Sequence, residues 1–394
     1  MFHTPHWVTQ NCSVAIYLYE PSDGGLDRVA ILLANHLLMR GVDVELWMTR
    51  VDGPVAGLID PQLTVRRVPA PPLNRRLSMI AQFPALAAMV RRYRPDILYS
   101  AGNQSNMLCA LAGLGTGTQA VCRISNPIVR PHQRGLSAWV RRSRFRAIAR
   151  TSAMTIVMGE ADWLTLAETG PLEGRRVTLL PRPTVTPLLQ RLRQDREVRP
   201  EGTARHFLMV GRLAEQKDQA TALLALARLR HLDWRLKIVG QGPLRRDLEA
   251  LCERLDIARR VEFLGFVNEQ AELAALMAEA DLLLQPSRWE GLVATLIEAL
   301  GCGTGVVATD STPNIHPVLA AAGQHAPVPV GDADAFAEAI LWALEHPVSP
   351  ARLGEAVREH CVESALDSYL RAFARLVRTD GVQWSGIAQN SLTR

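Results

Sequence analysis

Two α/β Rossmann-like domains are predicted by three features of the chain. Short apolar segments alternate with amphipathic helical patterns in two successive series, the pattern of parallel strands joined by helical crossovers. At 394 residues the chain is long for a single core and comfortable for two of roughly 100 to 200 residues each. Between the series, from Asp195 to Gly202, charge, proline and glycine replace apolar periodicity, so this stretch reads as the linker.

In the first series Ser13 to Tyr19, Val42 to Met48, Thr64 to Val68, Ile97 to Ser100, Ala120 to Ile124 and Met154 to Met158 read as strands. In the second, His206 to Val210, Arg235 to Val239, Val261 to Leu264, Asp281 to Gln285 and Gly305 to Ala308 are strands, with helices starting near Gln219, Pro243, Ala271 and Leu292. Beyond Pro350, Leu366, Tyr369, Leu370, Phe373 and Leu376 recur at helical spacing and form a last amphipathic helix. The predicted division is residues 1–197, residues 198–360, a helix over 361–380 and a loose tail over 381–394. Ligands of such sheets bind at the carboxyl ends of the strands, so chemistry belongs in the segments that follow them.

Charge divides the chain more sharply than its net +5 suggests. Residues 1–200 hold 25 arginines, no lysine and 14 acids, a formal +11; residues 201–394 hold 19 basic and 25 acidic residues, a formal −6. Arg130, Arg134, Arg141, Arg142, Arg144, Arg146 and Arg150 are interleaved with Leu136, Trp139, Val140 and Phe145. An arginine-rich helix of this kind suits an anionic membrane surface, where each basic residue contributes about 1 kcal/mol. The plain alternative is a solvated basic face. No nucleic-acid-binding module accompanies the arginines, so nucleic acid is not the expected partner. The six cysteines show no Cys-x-x-Cys spacing, against a zinc site or disulfide framework. A reducing cytoplasm is expected. The N-terminus has no signal-peptide pattern, and the longest apolar run, Leu77 to Val90, is too short to span a bilayer.

The densest chemistry lies at residues 287–303, where Glu290 and Glu298 are separated by seven uncharged residues. An apolar strand closed by Pro286 precedes this run, and Leu292, Thr295, Leu296 and Leu300 follow at helical spacing. Glu290 therefore falls on a strand-to-helix loop and Glu298 about two turns into the helix. Gly291 lets amides at the helix start approach an anion, and the helix dipole favours negative charge there. A carboxylate at each edge of such a cradle suits hydroxyls flanking a diphosphate, the layout of a nucleotide-sugar site.

The run also resembles the double-glutamate signature of the family 4 retaining glycosyltransferases, and further blocks fall in that family's order. Gly24-Gly25-Leu26-Asp27-Arg28-Val29 is similar to its N-terminal glycine loop, and Val210-Gly211-Arg212-Leu213-Ala214-Glu215-Gln216-Lys217-Asp218 to its phosphate-binding segment. Leu236 to Leu244 and Val261 to Val267 resemble the two strands after it. The resemblance implies the GT-B fold: two Rossmann-like domains facing a central cleft, with the last helix crossing back to the N-terminal domain. It also implies that Arg212 and Lys217 neutralise a leaving diphosphate. With Glu290 on the donor sugar, these three are the expected catalytic residues. Donor binding is expected from Gly24, Gly25, Gly211, Phe266 and Val267 at the nucleobase edge, Gly291, Leu292, Val293, and Glu298 at the ribose. Acceptor binding is expected from Arg123, Ser125 and Asn126, which end a strand. Asp27 stands where the family usually has Glu, and Leu179-Leu180-Pro181-Arg182-Pro183 replaces an asparagine-proline pair and is assigned no chemistry.

Asp332-Ala333-Asp334 looks like a metal motif but opens a helical pattern, so it reads as a helix cap. Neither metal nor cofactor is expected beyond the nucleotide diphosphate sugar as co-substrate. The function expected is transfer of a hexosyl residue to a glycan or lipid-linked acceptor in bacterial envelope polysaccharide synthesis, peripherally on the cytoplasmic membrane face. The alternatives are a non-catalytic nucleotide-sugar-binding subunit and a GT-B enzyme with a soluble acceptor. Base, sugar, acceptor and linkage stay open.

Overall fold

The computed structural model describes residues 12–22, 25–71, 74–125, 127–128, 135–167, 176–196, 204–267 and 269–377. It contains a seven-stranded and a five-stranded sheet, both parallel throughout. The first comprises β1 (Ser13–Leu18), β2 (Asp43–Met48), β3 (Thr64–Arg67), β4 (Ile97–Ser100), β5 (Gln119–Arg123), β6 (Met154–Val157) and β7 (Arg176–Leu179), in the order β3-β2-β1-β4-β5-β6-β7. The second comprises β8 (Arg205–Val210), β9 (Trp234–Val239), β10 (Val261–Gly265), β11 (Leu282–Gln285) and β12 (Gly305–Ala308), in the order β10-β9-β8-β11-β12. This is the predicted two-domain architecture. In each sheet strand order reverses beside the first strand, at β1/β4 and β8/β11, and such switch points open a crevice at the strands' carboxyl ends. β7 alone has no counterpart among the predicted strands, because Arg175-Arg176 and Thr178 break its apolar pattern.

The last helix, Val362–Val377, lies in the core of the N-terminal domain. Its Leu366, Tyr369, Leu370, Phe373 and Leu376 pack with Val14, Ile16, Leu46 and Ile97 of the first sheet and Leu33 and Leu37 of helix Gly25–Met39. Full burial of a large apolar side chain contributes about 1.5–3 kcal/mol, so five anchor the helix firmly. His36 and Arg40 meet Asp367 at 2.8 and 2.9 Å on its outer edge.

The outgoing and returning chain crossings lie side by side. Thr184 and Val185 donate from their backbone nitrogens to the His360 carbonyl at 3.1 and 3.0 Å, and Val362 donates to the Val185 carbonyl at 2.9 Å. The outgoing crossing precedes the predicted boundary at 197. Val185 and Leu189 are buried with Leu292, Leu296 and Leu353, so helix Pro187–Gln194 packs in the C-terminal core. Composition marked the charged stretch after that helix, whereas burial of its leucines decides which core it joins. Residues 197–203 and 378–394 lie outside the described residues.

The arginine-rich helix, Gly135–Thr151, differs from expectation at Phe145. That ring is 2% exposed and packs against Ile124, Ile128 and Ile148, so it is core and cannot face a membrane. Leu136, Trp139 and Val140 are exposed. Arg130 and Arg134 lie outside the described residues. Among the described residues no helix is long and apolar enough to cross a membrane.

Candidate functional site

On the C-terminal side the site is built where β8 ends. Gly211 continues the ladder by donating to the Val239 carbonyl at 2.9 Å, after which Arg212 projects, exposed, into the cleft between the domains. Gly240 makes this turn possible: at φ +138° it lies so close that a Cβ would stand 2.0 Å from the Gly211 oxygen. The Gly240-Gln241-Gly242 fragment is thus a floor for the Arg212 loop. Lys217 ends the short turn Glu215–Lys217 and reaches back past Gly211, which leaves 3.0 Å between its Cε and the missing Cβ.

Lys217 Nζ donates to Glu290 Oε1 at 2.6 Å. Ser287, fully buried, donates to the same oxygen at 2.9 Å and accepts from Gln285 Nε2 at 2.6 Å; Thr295 donates to Gln285 Oε1 at 3.1 Å. Glu290 is therefore fixed by side chains from β11, its loop and the helix start. Gly291 and Leu292 offer their carbonyls inward, to Thr312 and Asn314 and to Arg182 respectively. The Leu292 and Val293 side chains are core, leaving only their backbone to meet a ligand. Glu298 lies just past the first turn of helix Ala294–Gly301, nearer the start than predicted. Burial pushes its carboxyl upward in pKa, opposed by Arg182 and Arg28.

A cleft of about 440 Å³ joins these parts. Gly25, Arg28 and Arg182 line it from the N-terminal domain, and Gly211, Arg212, Phe266, Val267, Thr295 and Glu298 from the C-terminal domain. Of the predicted residues, Gly25, Gly211, Arg212, Phe266, Val267 and Glu298 converge here, while Lys217 and Glu290 form their ion pair just outside the lining. Gly24 and Asn126 lie outside the described residues. Arg123 and Ser125 do not open onto the cleft. Arg123 is fully buried beside Tyr99 and Tyr369, with Nη2 on Met158 Sδ at 3.3 Å; Ser125 is buried and its backbone nitrogen donates to Asn103 Oδ1 at 3.0 Å.

A second cavity of about 260 Å³ lies at the carboxyl ends of β1 and β4, lined by Tyr19, Ser22, Asp27, Asn103 and Ser105 among others. Ser22 hydrogen-bonds Asp27, fixing the carboxylate at the start of helix Gly25–Met39. Gly102 to Ser105 and Arg182 were missed by motif reading. The signal available was position alone, since both segments directly follow parallel strands. The domains also meet through Asn314, whose Nδ2 donates to Asp162 Oδ2 at 3.0 Å and to the Gly291 carbonyl at 3.2 Å. Burial pushes the Asp162 carboxyl up to about 6. Asp332 caps helix Ala333–Glu345 by accepting from the nitrogens of Asp334 and Ala335 at 3.1 and 3.0 Å.

A family model described as glycosyl transferases group 1 matches residues 190–360, and a glycosyl transferase 4-like domain matches residues 24–183. The chain belongs to the group 1, family 4 glycosyltransferases. This family member is 38% identical over 104 residues to the Campylobacter jejuni N-acetylgalactosamine-N,N'-diacetylbacillosaminyl-diphospho-undecaprenol 4-alpha-N-acetylgalactosaminyltransferase, covering 26% of the chain and 27% of that protein. It is 32% identical over 175 residues to a Mycobacterium tuberculosis GDP-mannose-dependent alpha-(1-6)-phosphatidylinositol dimannoside mannosyltransferase, covering 43% and 42%. The chain thus spans well under half the length of these curated relatives. Whole-chain likeness appears among solved structures. A Rickettsia africae glycosyltransferase aligns with TM-score 0.72 at 15% identity over 94% of this chain and all of that one. Anabaena HepE in complex with UDP aligns with TM-score 0.70 at 18% identity over 92% and 98%. At such identities the likeness establishes the GT-B fold.

Proposed function

We propose that the protein transfers a hexosyl residue from a nucleotide diphosphate sugar, with retention at the anomeric carbon, to a hydroxyl of a glycan or lipid-linked acceptor in envelope polysaccharide synthesis. The observation that carries the reading is the convergence of Arg212, Gly25 and Glu298 on one interdomain cleft, with the Lys217–Glu290 pair at its edge. In this reading Arg212 binds the diphosphate, and Lys217 exchanges part of its contact with Glu290 for a phosphate oxygen. Glu290, held by Ser287, then accepts from a sugar hydroxyl, and Glu298 from the ribose. Phe266 and Val267 border the base.

What supports retention is the family 4 resemblance, and where the carboxylates stand bears on its route. A double-displacement route needs a carboxylate nucleophile on the sugar face opposite the diphosphate. Glu290 and Glu298 both belong to the loop and helix on the diphosphate side, and Glu290 is held by Lys217. A front-face displacement asks less. The anomeric C–O bond to the diphosphate breaks, the acceptor oxygen bonds on the same face, and the departing phosphate oxygen takes the acceptor's proton. Arg212 and Lys217 stabilise the charge that develops. The cavity beside Ser22, Asp27 and Asn103 takes the acceptor. Campylobacter and mycobacterial relatives act on lipid-linked acceptors by their names, and the exposed Leu136, Trp139 and Val140, on the helix that also exposes Arg142 and Arg150, suit peripheral attachment to anionic lipid.

Thermal-shift screening of nucleotide sugars tests the reading, since a ligand raises the melting temperature according to its affinity. One base is expected to stabilise the protein, and its diphosphate more than its monophosphate. Indifference to every nucleotide sugar refutes it.

A further inference from the structure

Arg182 is a cleft-lining cation that motif reading left without a role, and its surroundings are unusual for an arginine. It stands at the outgoing crossing, where its backbone nitrogen donates to His360 Nδ1 at 3.0 Å. Its Nη1 donates to the Leu292 carbonyl, at the start of the double-glutamate helix, at a long 3.4 Å. Its Nη2 lies 2.5 Å from where a Cβ on residue 25 would be, so the guanidinium lies against the Gly25 backbone and would have to shift for any larger residue there. Its Nε is buried without a partner among the described residues.

Arg123 lies behind it, close enough for the two positive charges to oppose each other. Arg123 is 0% exposed, its Nε and Nη1 have no partner among the described residues, and the nearby Tyr99 and Tyr369 hydroxyls are likewise unpartnered. Among the described residues no carboxylate forms an ion pair with either guanidinium. Burying a charge without a counter-ion costs several kcal/mol. Two such charges, one opening onto a cleft with a free donor face, make a standing demand for an anion.

The position within the cleft says which anion. Arg182 feels both Glu290 and Glu298, the residues read above as flanking the sugar and the ribose, and what lies between those two groups is the diphosphate. We infer that Arg182 is a third cationic ligand of the donor's diphosphate, supplied by the N-terminal domain opposite Arg212 and Lys217. The inference rests on the nucleotide-sugar reading and deepens it. A fork-shaped donor matches two phosphate oxygens at once. Binding the diphosphate from both sides makes closure of the cleft depend on the donor, and Arg182 moves from the Leu292 carbonyl to phosphate oxygen as this happens.

The test is calorimetric titration of the full chain with UDP, GDP, ADP, CDP and dTDP and their monophosphates, in wild type, Arg182→Met, Arg182→Lys and Arg212→Ala. For the base that wild type selects, Arg182→Met should lose about tenfold or more in diphosphate affinity while monophosphate affinity stays within about twofold. Arg182→Lys, which keeps charge without the fork, should fall between. If Arg182→Met fails to fold by circular dichroism, the lysine variant decides, and unchanged diphosphate affinity in it overturns the assignment. Wild-type diphosphate affinity in Arg182→Met, with loss in Arg212→Ala, overturns the inference and leaves the donor site standing. Failure of wild type to bind any nucleoside diphosphate removes the underlying reading and this inference with it.

Discussion

Glu290 and Glu298 are eight positions apart, yet their surroundings set different tasks. Glu290 is held by Lys217 and Ser287 beside the cleft, whereas Glu298 faces the cavity under the influence of Arg182 and Arg28. Glu298→Gln is therefore expected to weaken free nucleoside diphosphate by about 1 to 3 kcal/mol, the cost of a charge-assisted hydrogen bond to a ribose hydroxyl. Glu290→Gln should leave that affinity nearly unchanged and lower turnover instead. Equal nucleotide affinity in Glu298→Gln and wild type, measured by titration, contradicts the ribose assignment. Arg212→Ala should cost about 2.7 to 4 kcal/mol of transition-state stabilisation, read as a fall in kcat. These residues were legible in sequence because their spacing is local, a strand, a glycine and a charge within a few positions. Arg182 was not, because its meeting with Gly25 and Leu292 joins segments more than a hundred residues apart.

Helix Gly135–Thr151 shows how one element mixes structural and surface arginines. Arg141 donates to the carbonyls of Ile128 and Pro127 at 2.8 and 2.7 Å and lies over the Phe145 ring, and Arg144 donates to the Asn103 carbonyl at 2.6 Å. These two hold loops at the carboxyl ends of β4 and β5. Arg142 and Arg150 remain exposed, and Trp139 is 64% exposed. Changing Arg142, Arg146 and Arg150 to Gln, with Trp139→Ala, should release the protein from anionic liposomes without altering nucleotide affinity. Binding of wild type should fall with salt, because surface attraction is screened over about 8 to 10 Å. Equal sedimentation of wild type with neutral and anionic vesicles argues for a solvated face. Arg141→Gln is a different experiment: losing both carbonyl contacts should cost about 1 to 3 kcal/mol of stability, seen in a denaturant midpoint. Sequence periodicity supplied the helix and its charge, but which arginines turn inward depends on loops it does not describe.

Among the described residues the domains are connected by two paired crossings and by polar contacts that include Arg182 on the Leu292 carbonyl and a bridge through Asn314. The bridge, Asp162 to Asn314 to the Gly291 carbonyl, carries a titratable group whose carboxyl burial raises from 3.8 to about 6. Between those values the folded protein keeps a proton that the unfolded chain has released, so this group's contribution falls as pH rises from about 4 to about 6 and its cost is complete above that. A shift of this size corresponds to about 2 to 3 kcal/mol. Asp162→Asn should raise the melting temperature above pH 6 and leave it near wild type at pH 4, and parallel pH profiles contradict the bridge's titration. Comparing the two proteins separates this effect from His36 and His360, whose burial lowers their pKa and costs stability as pH falls. The two series of strands were readable because parallel strands appear as continuous apolar runs. The crossing point was not, because Leu189 chooses its core by packing that composition does not reveal. The central claim is that the cleft moves a sugar from a nucleotide diphosphate. Its most direct test is release of nucleoside diphosphate from the donor that thermal shift selects, followed with an envelope lipid extract as acceptor for wild type and Arg212→Ala. The expected result is acceptor-dependent release by wild type, reduced about a hundredfold or more in the variant, and either no release by wild type or equal release by both contradicts it.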